Sequence, residues 1–142
     1  MKKFLLAVTF FTAAFVCNAQ IPASVTTALK AKYPDAQTVS WKHKLSSFEA
    51  SFLLNGTKTD AYFKSTGDWV ETDKAITFSD LPSGVKDGFN KSKYTDWKTT
   101  NTVEIKKPEG TQYRVDVRKS DVQMKYLYFD TNGTLAKEAM TL

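Results

Sequence analysis

The feature that most constrains how this chain can fold is an internal repeat. Three blocks of the first half recur in the same order in the second half, pairing 21–25 with 81–85, 48–52 with 113–117, and 61–69 with 127–135. Matches in three ordered blocks predict two copies of one structural unit, over about 21–76 and 81–138. Together the copies form one domain, since 142 residues leave no room for two ordinary enzyme domains.

Each predicted unit begins with a short amphipathic helix. The apolar residues of the first helix recur at helical spacing and form a single stripe, made of Ile21, Val25, Ala28, Leu29 and Tyr33. Pro22 suits the first helical turn, and Pro34 ends the helix. The second helix is predicted from about Pro82 to Lys91. Gly84 and Gly88 weaken it, and we expect them to allow closer approach of the helix to a sheet.

Stretches of alternating apolar and polar residues follow each helix and predict half-buried strands. Hairpin turns are indicated at 55–56 (Asn-Gly), 65–67 and 131–133. Each half is therefore one helix followed by three or four antiparallel strands, which is an α+β fold. One helix per half covers only one face of the sheet, so the other face should be open to solvent.

The open face is the candidate binding surface. If Phe63 and Phe129 point into the core, strand alternation sends their neighbours the opposite way. The residues predicted on the open face are Tyr62, Tyr126, Tyr128, Arg114 and Arg118. Tyr and Arg are enriched at binding hot spots, which favours a protein or peptide partner. Tyr is also simply a good strand former, so the pattern fits a half-exposed sheet without a partner.

The first nineteen residues have the pattern of an export signal. A basic start is followed by about 13 apolar residues, which is too short for a membrane-spanning helix. Small residues at Cys17 and Ala19 predict cleavage after Ala19, which places the mature chain, residues 20–142, in the periplasm or outside the cell. A lipid-modified Cys17 is the alternative, although Val16 and Phe15 fit a lipobox poorly.

The remaining composition excludes several partner and cofactor classes. Without residues 1–19, 18 basic and 15 acidic residues remain, and no dense Lys/Arg patch suggests nucleic acid. No later stretch reaches the length of a membrane span. A single His and a single Cys cannot build a His-rich metal site or an internal disulfide, so we expect no cofactor and no metal.

Candidate catalytic groups are few. His43 is the only available base for a nucleophile, and its strand context suggests a structural or surface role. Asp130 begins a segment that superficially resembles a calcium loop, but a hairpin turn explains it better. Acidic pairs that could flank a sugar bond are Asp60 with Asp68 and Glu71 with Asp73, which we expect on solvated loops. The sequence therefore predicts a protein that is not an enzyme.

Several of these motifs together resemble the PepSY-like family of exported bacterial proteins. They are Leu-Pro-x-x-Val opening a helix, Tyr-Pro after the first helix, Trp41, Asn55-Gly56, and the twice-used aromatic hairpin. The resemblance covers about residues 21–138, although Thr95 stands where the first half has Pro34. It implies a fold similar to beta-lactamase inhibitory protein, with helices on one face of a curved antiparallel sheet.

The resemblance also implies a class of function. In the inhibitor the open sheet face grips an enzyme, and PepSY domains are associated with protease inhibition. No matched motif position is a known inhibitory residue, so neither activity transfers residue by residue. We expect a non-enzymatic, inhibitor-like protein-binding module with one contiguous patch around Tyr62, Tyr126 and Tyr128. The alternative is a small-ligand carrier or hydrolase-like envelope protein with a concave cavity of a few hundred cubic ångströms.

Overall fold

The structure, a computed structural model, describes residues 20–140. The predicted signal peptide, its cleavage site and Cys17 lie outside the described residues. The helices are α1 (Ala23–Lys32), α2 (Ser83–Asn90) and a single 3-10 turn (Phe78–Asp80) before α2. The strands are β1 (Gln37–His43), β2 (Phe48–Leu54), β3 (Thr57–Phe63), β4 (Trp69–Ala75), β5 (Lys98–Lys107), β6 (Gly110–Ser120), β7 (Gln123–Phe129) and β8 (Leu135–Met140).

All eight strands form one antiparallel sheet in chain order, with β1 and β8 at its two edges. The register places Phe48, Phe63 and Ala50 on the same face as Val115 and Phe129, through the intervening pairs of β3 to β6. Both helices pack on that face, because each contributes buried residues to clusters with those side chains. The predicted α+β class, with helices on one face of an antiparallel sheet, is confirmed.

Both helices begin directly after a Pro that serves as N-cap. Pro22 and Pro82 have extended backbone angles and precede the first helical residue by one position, so the prediction of Pro22 inside the first turn is wrong by one residue. Their fixed φ and missing N–H suit a helix start. Each helix then buries the third and seventh residues after its Pro, which in α1 are Val25 and Leu29.

The core is divided into two apolar clusters, one under each helix. The first cluster joins α1 to β2 and β3 through Val25, Leu29, Phe48, Ala50, Phe52, Ala61 and Phe63. The second joins α2 to β6 and β7 through Leu81, Val85, Phe89, Tyr94, Tyr113, Val115, Val117, Leu127 and Phe129. Burial of these side chains is the main stabilising contribution to the fold.

Between the clusters, where β4 meets β5, the helix-side face is polar. Lys74 pairs with Glu104 and Thr72 pairs with Lys106 across this junction. A cleft of about 690 Å³ lies here, lined in part by Lys74 and Glu104. The two strands pair only between 72–75 and 103–106, whereas β5 and β6 pair along nearly their whole length.

The glycines of α2 permit a close backbone contact, but this contact is with the β7–β8 turn and not, as the sequence had predicted, with the sheet. A Cβ atom on Gly88 would overlap the carbonyl of Gly133, and one on Gly84 would lie 2.9 Å from the carbonyl oxygen of Asn132. The helix therefore packs tightly against the β7–β8 turn rather than against the body of the sheet. This turn, the β3–β4 turn and the β2–β3 turn at Asn55 all lie where the sequence predicts hairpins.

Neither helix among residues 20–140 has both the length and the apolar character that crossing a membrane requires.

Candidate functional site

The sheet face opposite the helices is concave. Glu71 and Asp73 of β4 line the same cavity of about 220 Å³ as Ala136 and Lys137 of β8, although three strands separate β4 from β8. In a flat sheet, four strand spacings would hold them about 19 Å apart. The sheet therefore curls around this cavity, and we call the curled surface the concave face.

Arg114 of β6 lines the cavity, and its orientation is fixed by neighbouring side chains. Its Nε atom donates to Oδ1 of Asp116 at 2.8 Å, and Nη2 lies 3.5 Å from Oδ2 of the same residue. The guanidinium carbon lies 4.8 Å from the ring centroid of Tyr126, within the range of a cation–π contact. Burial lowers the pKa of Arg114, but Asp116, Tyr128 and Asp73 together outweigh this effect, and the net shift is upward. The guanidinium is thus charged and fixed in orientation.

Tyr128 completes this group. It pairs directly with Arg114 across β6 and β7 and lines the cavity, and the Lys137 ammonium lies 5.6 Å from its ring centroid. Tyr126 and Tyr128 are both half-buried. We refer to Arg114, Tyr126 and Tyr128 as the Arg114 cluster. The structure brings these three sequence-predicted residues together.

Tyr62 and Arg118 lie on the same face but away from the Arg114 cluster. Tyr62 is in β3, with β4 and β5 between it and β6, and its register neighbours are Glu49 and Glu71. Burial and nearby carboxylates, led by that of Asp73, raise its pKa. Arg118 is exposed at the far end of β6, 3.6 Å from Asp121. Tyr62 is not among the residues that line the cavity beside the Arg114 cluster, and the contiguous patch expected around Tyr62, Tyr126 and Tyr128 stays a prediction.

The sequence interpretation misplaced the carboxylates of the concave face. Asp60 lies in β3 and Glu71 and Asp73 lie in β4, not on solvated loops. Only Asp68 occupies a turn. One signal could have found Asp60, because it stands two residues before Tyr62 and so shares its face. Glu71 and Asp73 lacked such a signal. The residues of β4 do not alternate between apolar and polar, so the sequence did not identify this segment as a strand.

Asp73 has the most perturbed carboxyl group of this region. Burial, followed by the charge of Glu71, raises the pKa of Asp73 to about 6, and the nearby Arg114 opposes the shift. Its Oδ2 atom lies 3.9 Å from Nη1 of Arg114. Glu71 is compensated by Lys107 at 3.4 Å. The cavity therefore offers both fixed cations and carboxylates at its wall.

The other chemical candidates occupy structural positions. His43 is exposed on β1, and its ring packs edge-on against Phe48 with centroids 4.9 Å apart. The Oδ1 atom of Asp130 accepts the backbone N–H groups of Asn132 and Thr134, both at 2.9 Å, which lowers the pKa of Asp130 and closes the β7–β8 turn. Within residues 20–140, no group of three or more His, Cys, Asp or Glu residues could hold a metal ion.

Comparison with known proteins gives one family and several solved structures. The family model described as "Putative beta-lactamase-inhibitor-like, PepSY-like" matches residues 46–137. A DUF2874 family protein from Bacteroides uniformis is 27% identical, with a TM-score of 0.81 over 85% of this chain and 90% of its own. A BLIP-like protein from Bacteroides fragilis is 26% identical, with a TM-score of 0.77 over 84% and 86%.

A third similar structure comes from Bacteroides eggerthii and is described as one of its "putative periplasmic proteins". It is 25% identical, with a TM-score of 0.80 over 85% of this chain and 89% of its own. No curated protein matches the sequence.

Proposed function

Since the chain belongs to the PepSY-like, beta-lactamase-inhibitor-like family, we propose that it is a non-enzymatic protein-binding module of the periplasm. Its concave face binds a protein or peptide. The family description suggests that binding inhibits this partner. The similarity to a BLIP-like protein and to a protein described as periplasmic supports this proposal.

The Arg114 cluster is the observation that carries the proposal. An Arg that already holds its orientation through Asp116, with two half-buried Tyr rings beside it, loses little conformational entropy when a partner binds. The concave shape adds a recess in which a partner side chain would be desolvated. These are the properties of a hot spot at the centre of an interface.

The test is capture of a partner by the exported protein from envelope extract. Immobilised wild type is compared with a Tyr126→Ala/Tyr128→Ala variant, and circular dichroism checks that both are folded. Val122→Ala is the matched control, because Val122 is 92% exposed in the turn joining the same two strands and lies off the concave face. The proposal requires a protein that is retained by wild type and control and lost by the double variant.

Tyr62 and Arg118 extend the proposed footprint. Separate Tyr62→Ala and Arg118→Ala variants in the same capture test whether the partner spans the concave face or only the region of the Arg114 cluster. Retention by both variants, with loss in the Tyr126/Tyr128 variant, would confine the interface to β6 and β7.

A small-ligand carrier or hydrolase-like envelope protein is the second candidate, and the cavity itself favours it. Polar groups from β4 to β8 converge on a concave space of about 220 Å³. Pockets for drug-sized ligands are larger, roughly 300–1,000 Å³, so this space suits a small polar molecule. If capture finds no protein, a thermal-shift screen of small anions, amines and sugars tests this function.

Two further proposals concern how the chain is divided into an export signal and a domain. We propose that residues 1–19 are an export signal and that residues 20–142 form one domain built from two copies of a helix and four strands. The matching Pro caps and helix burial positions support the repeat.

A further inference from the structure

An apolar groove runs between α1 and the edge strand β1, on the helix side of the sheet. Its volume is about 610 Å³, and Leu29 and Tyr33 form one wall while Val39 and Trp41 form the other. Val39 is 40% exposed, which is unusual for a large aliphatic residue facing a helix. Lys30 lies at the rim, and no lining residue is acidic.

The corresponding face of α2 is covered, and the covering segment belongs to the chain itself. Leu29 and Phe89 are both the seventh residue after a Pro N-cap. The ring of Phe78 packs edge-on against Phe89 with centroids 5.3 Å apart. The Lys86 ammonium also donates to the carbonyl oxygen of Ser79 at 2.5 Å. Segment 76–79 therefore lies on the side of α2 that corresponds to the groove side of α1.

The same segment also pairs with the strand that follows α2. The N–H of Ile76 donates to the carbonyl oxygen of Thr102 in β5 at 3.0 Å. Thr102 pairs with the fully buried Val115, just as Trp41 of β1 pairs with the fully buried Ala50. Segment 76–79 thus lies between α2 and β5. The equivalent space between α1 and β1 is the open groove.

The described chain offers no equivalent segment for α1. Before this helix the structure describes only residues 20–22, and Ile21 already packs against the first core cluster. Within residues 20–140, β1 pairs with β2 alone and leaves its other edge open. An open strand edge beside an apolar groove favours addition of an extended segment.

We propose that the groove receives an extended segment of a partner protein, which pairs with the edge of β1 and inserts an aromatic side chain against Leu29. The chemistry is that of segment 76–80, in which the aromatic Phe78 is followed two positions later by Asp80. An acidic residue in the partner segment complements Lys30. Lys32, the other cation at the end of α1, instead lies 3.6 Å from the Trp69 ring centroid. This site is separate from the concave face and does not rest on its function.

The test titrates the exported, ¹⁵N-labelled protein with an acetylated peptide that copies residues 75–81. We expect saturable shift changes confined to the amides of residues 26–41 and to the Trp41 indole, with a Kd below about 1 mM. The same peptide with Phe78→Ala should bind at least about tenfold more weakly, a difference of about 1.4 kcal/mol.

Two variants of the protein test whether the peptide binds in the groove. Val39→Arg should weaken peptide binding at least about tenfold. Leu53→Arg, at a residue of nearly the same exposure (39%) on the neighbouring strand, should bind like wild type. Unmoved groove amides, equal binding of the two peptides, or equal effects of the two protein variants would overturn the proposal. The proposal would also be overturned if a second copy of the chain already covered the groove. The protein would then have twice the monomer mass, and the chemical shifts of the groove amides would change on dilution.

Discussion

Asp73 lies directly opposite Asp60 in the β3–β4 pair, and each carboxylate keeps its Oδ1 atom away from solvent with no hydrogen-bond partner among the described residues. Burial and the charges of Glu71 and Asp60 all favour the protonated form of Asp73. Arg114 compensates only in part, since it is 3.9 Å from Asp73 and already engaged with Asp116. Ionised Asp73 is therefore a destabilising group in the folded protein.

Replacing Asp73 should stabilise the protein at neutral and alkaline pH. The pKa of Asp73 is about 6 in the folded state, above its ordinary value of 3.8, so the folded state binds this proton more tightly than the unfolded state. Wild-type stability therefore falls as pH rises from about 4 through 6. Asp73→Asn removes this loss and should raise the free energy of unfolding at pH 8 by roughly 1–3 kcal/mol.

Urea unfolding at pH 4, 6 and 8 measures this effect. Asp68→Asn, at an exposed position in the β3–β4 turn, is the control and should not gain stability at pH 8. A variant Asp73→Asn that is as unstable as wild type at pH 8 would contradict the interpretation of a costly buried charge.

Asp116 should be essential for the Arg114 cluster. It is 7% exposed and accepts hydrogen bonds from Arg114 and from the side chain of Asn101. Asp116→Ala leaves a largely buried guanidinium without its main partner, which should cost about 3 kcal/mol in the free energy of unfolding. The control pair is Arg118 with Asp121, which is exposed, so Asp121→Ala should change stability by less than about 0.5 kcal/mol. Similar losses for both variants would show that Asp116 has no special role.

Gly88→Ala should destabilise the protein even though Ala is the better helix former. In an open helix this change would add about 1 kcal/mol of stability. Here the new Cβ overlaps the backbone carbonyl of Gly133, which cannot rotate away, so we expect a net loss of about 2 kcal/mol or more. Thermal unfolding beside Asn90→Ala, an exposed residue of the same helix, measures the difference. A stabilised Gly88→Ala variant would mean that α2 and the β7–β8 turn are not closely packed.

The exported protein should begin at Gln20. Intact-mass spectrometry of protein from the cell envelope should give the unmodified mass of residues 20–142. Cys17→Ser should be processed like wild type, because Cys17 is removed with the signal. A lipid-modified N-terminus that is lost in Cys17→Ser would instead establish the lipoprotein alternative.

Both helices and the uncovered face could be predicted because their signals are local. Each signal is contained in a short stretch of sequence. The signals are a Pro cap, a stripe of apolar residues, and the alternation around Phe63 and Phe129. The family resemblance followed from the same motifs and is confirmed by the match to residues 46–137.

The candidate site was less predictable because it depends on register between distant strands. Strand β4 contains Glu71, Thr72 and Asp73, which resemble a solvated loop until pairing with β3 and β5 buries Thr72 and half-buries the two carboxylates. The position of Tyr62 relative to Tyr128 likewise depends on the order of the strands between them and on how the sheet curls. Local alternation indicates a face, but strand order and the curl of the sheet together set the distances along it.

The polar junction between β4 and β5 separates the two halves of the apolar core. Each half is held by its own apolar cluster, while the helix side of the junction consists of the buried Thr72 and of Lys74, Glu104 and Lys106. The angle between the halves therefore depends on the strand pairing between 72–75 and 103–106 and on the ion pair of Arg114 with Asp73, which joins β6 to β4. The curvature of the concave face is thus set by strand pairing and charge, while each half keeps the shape that its own apolar cluster gives it.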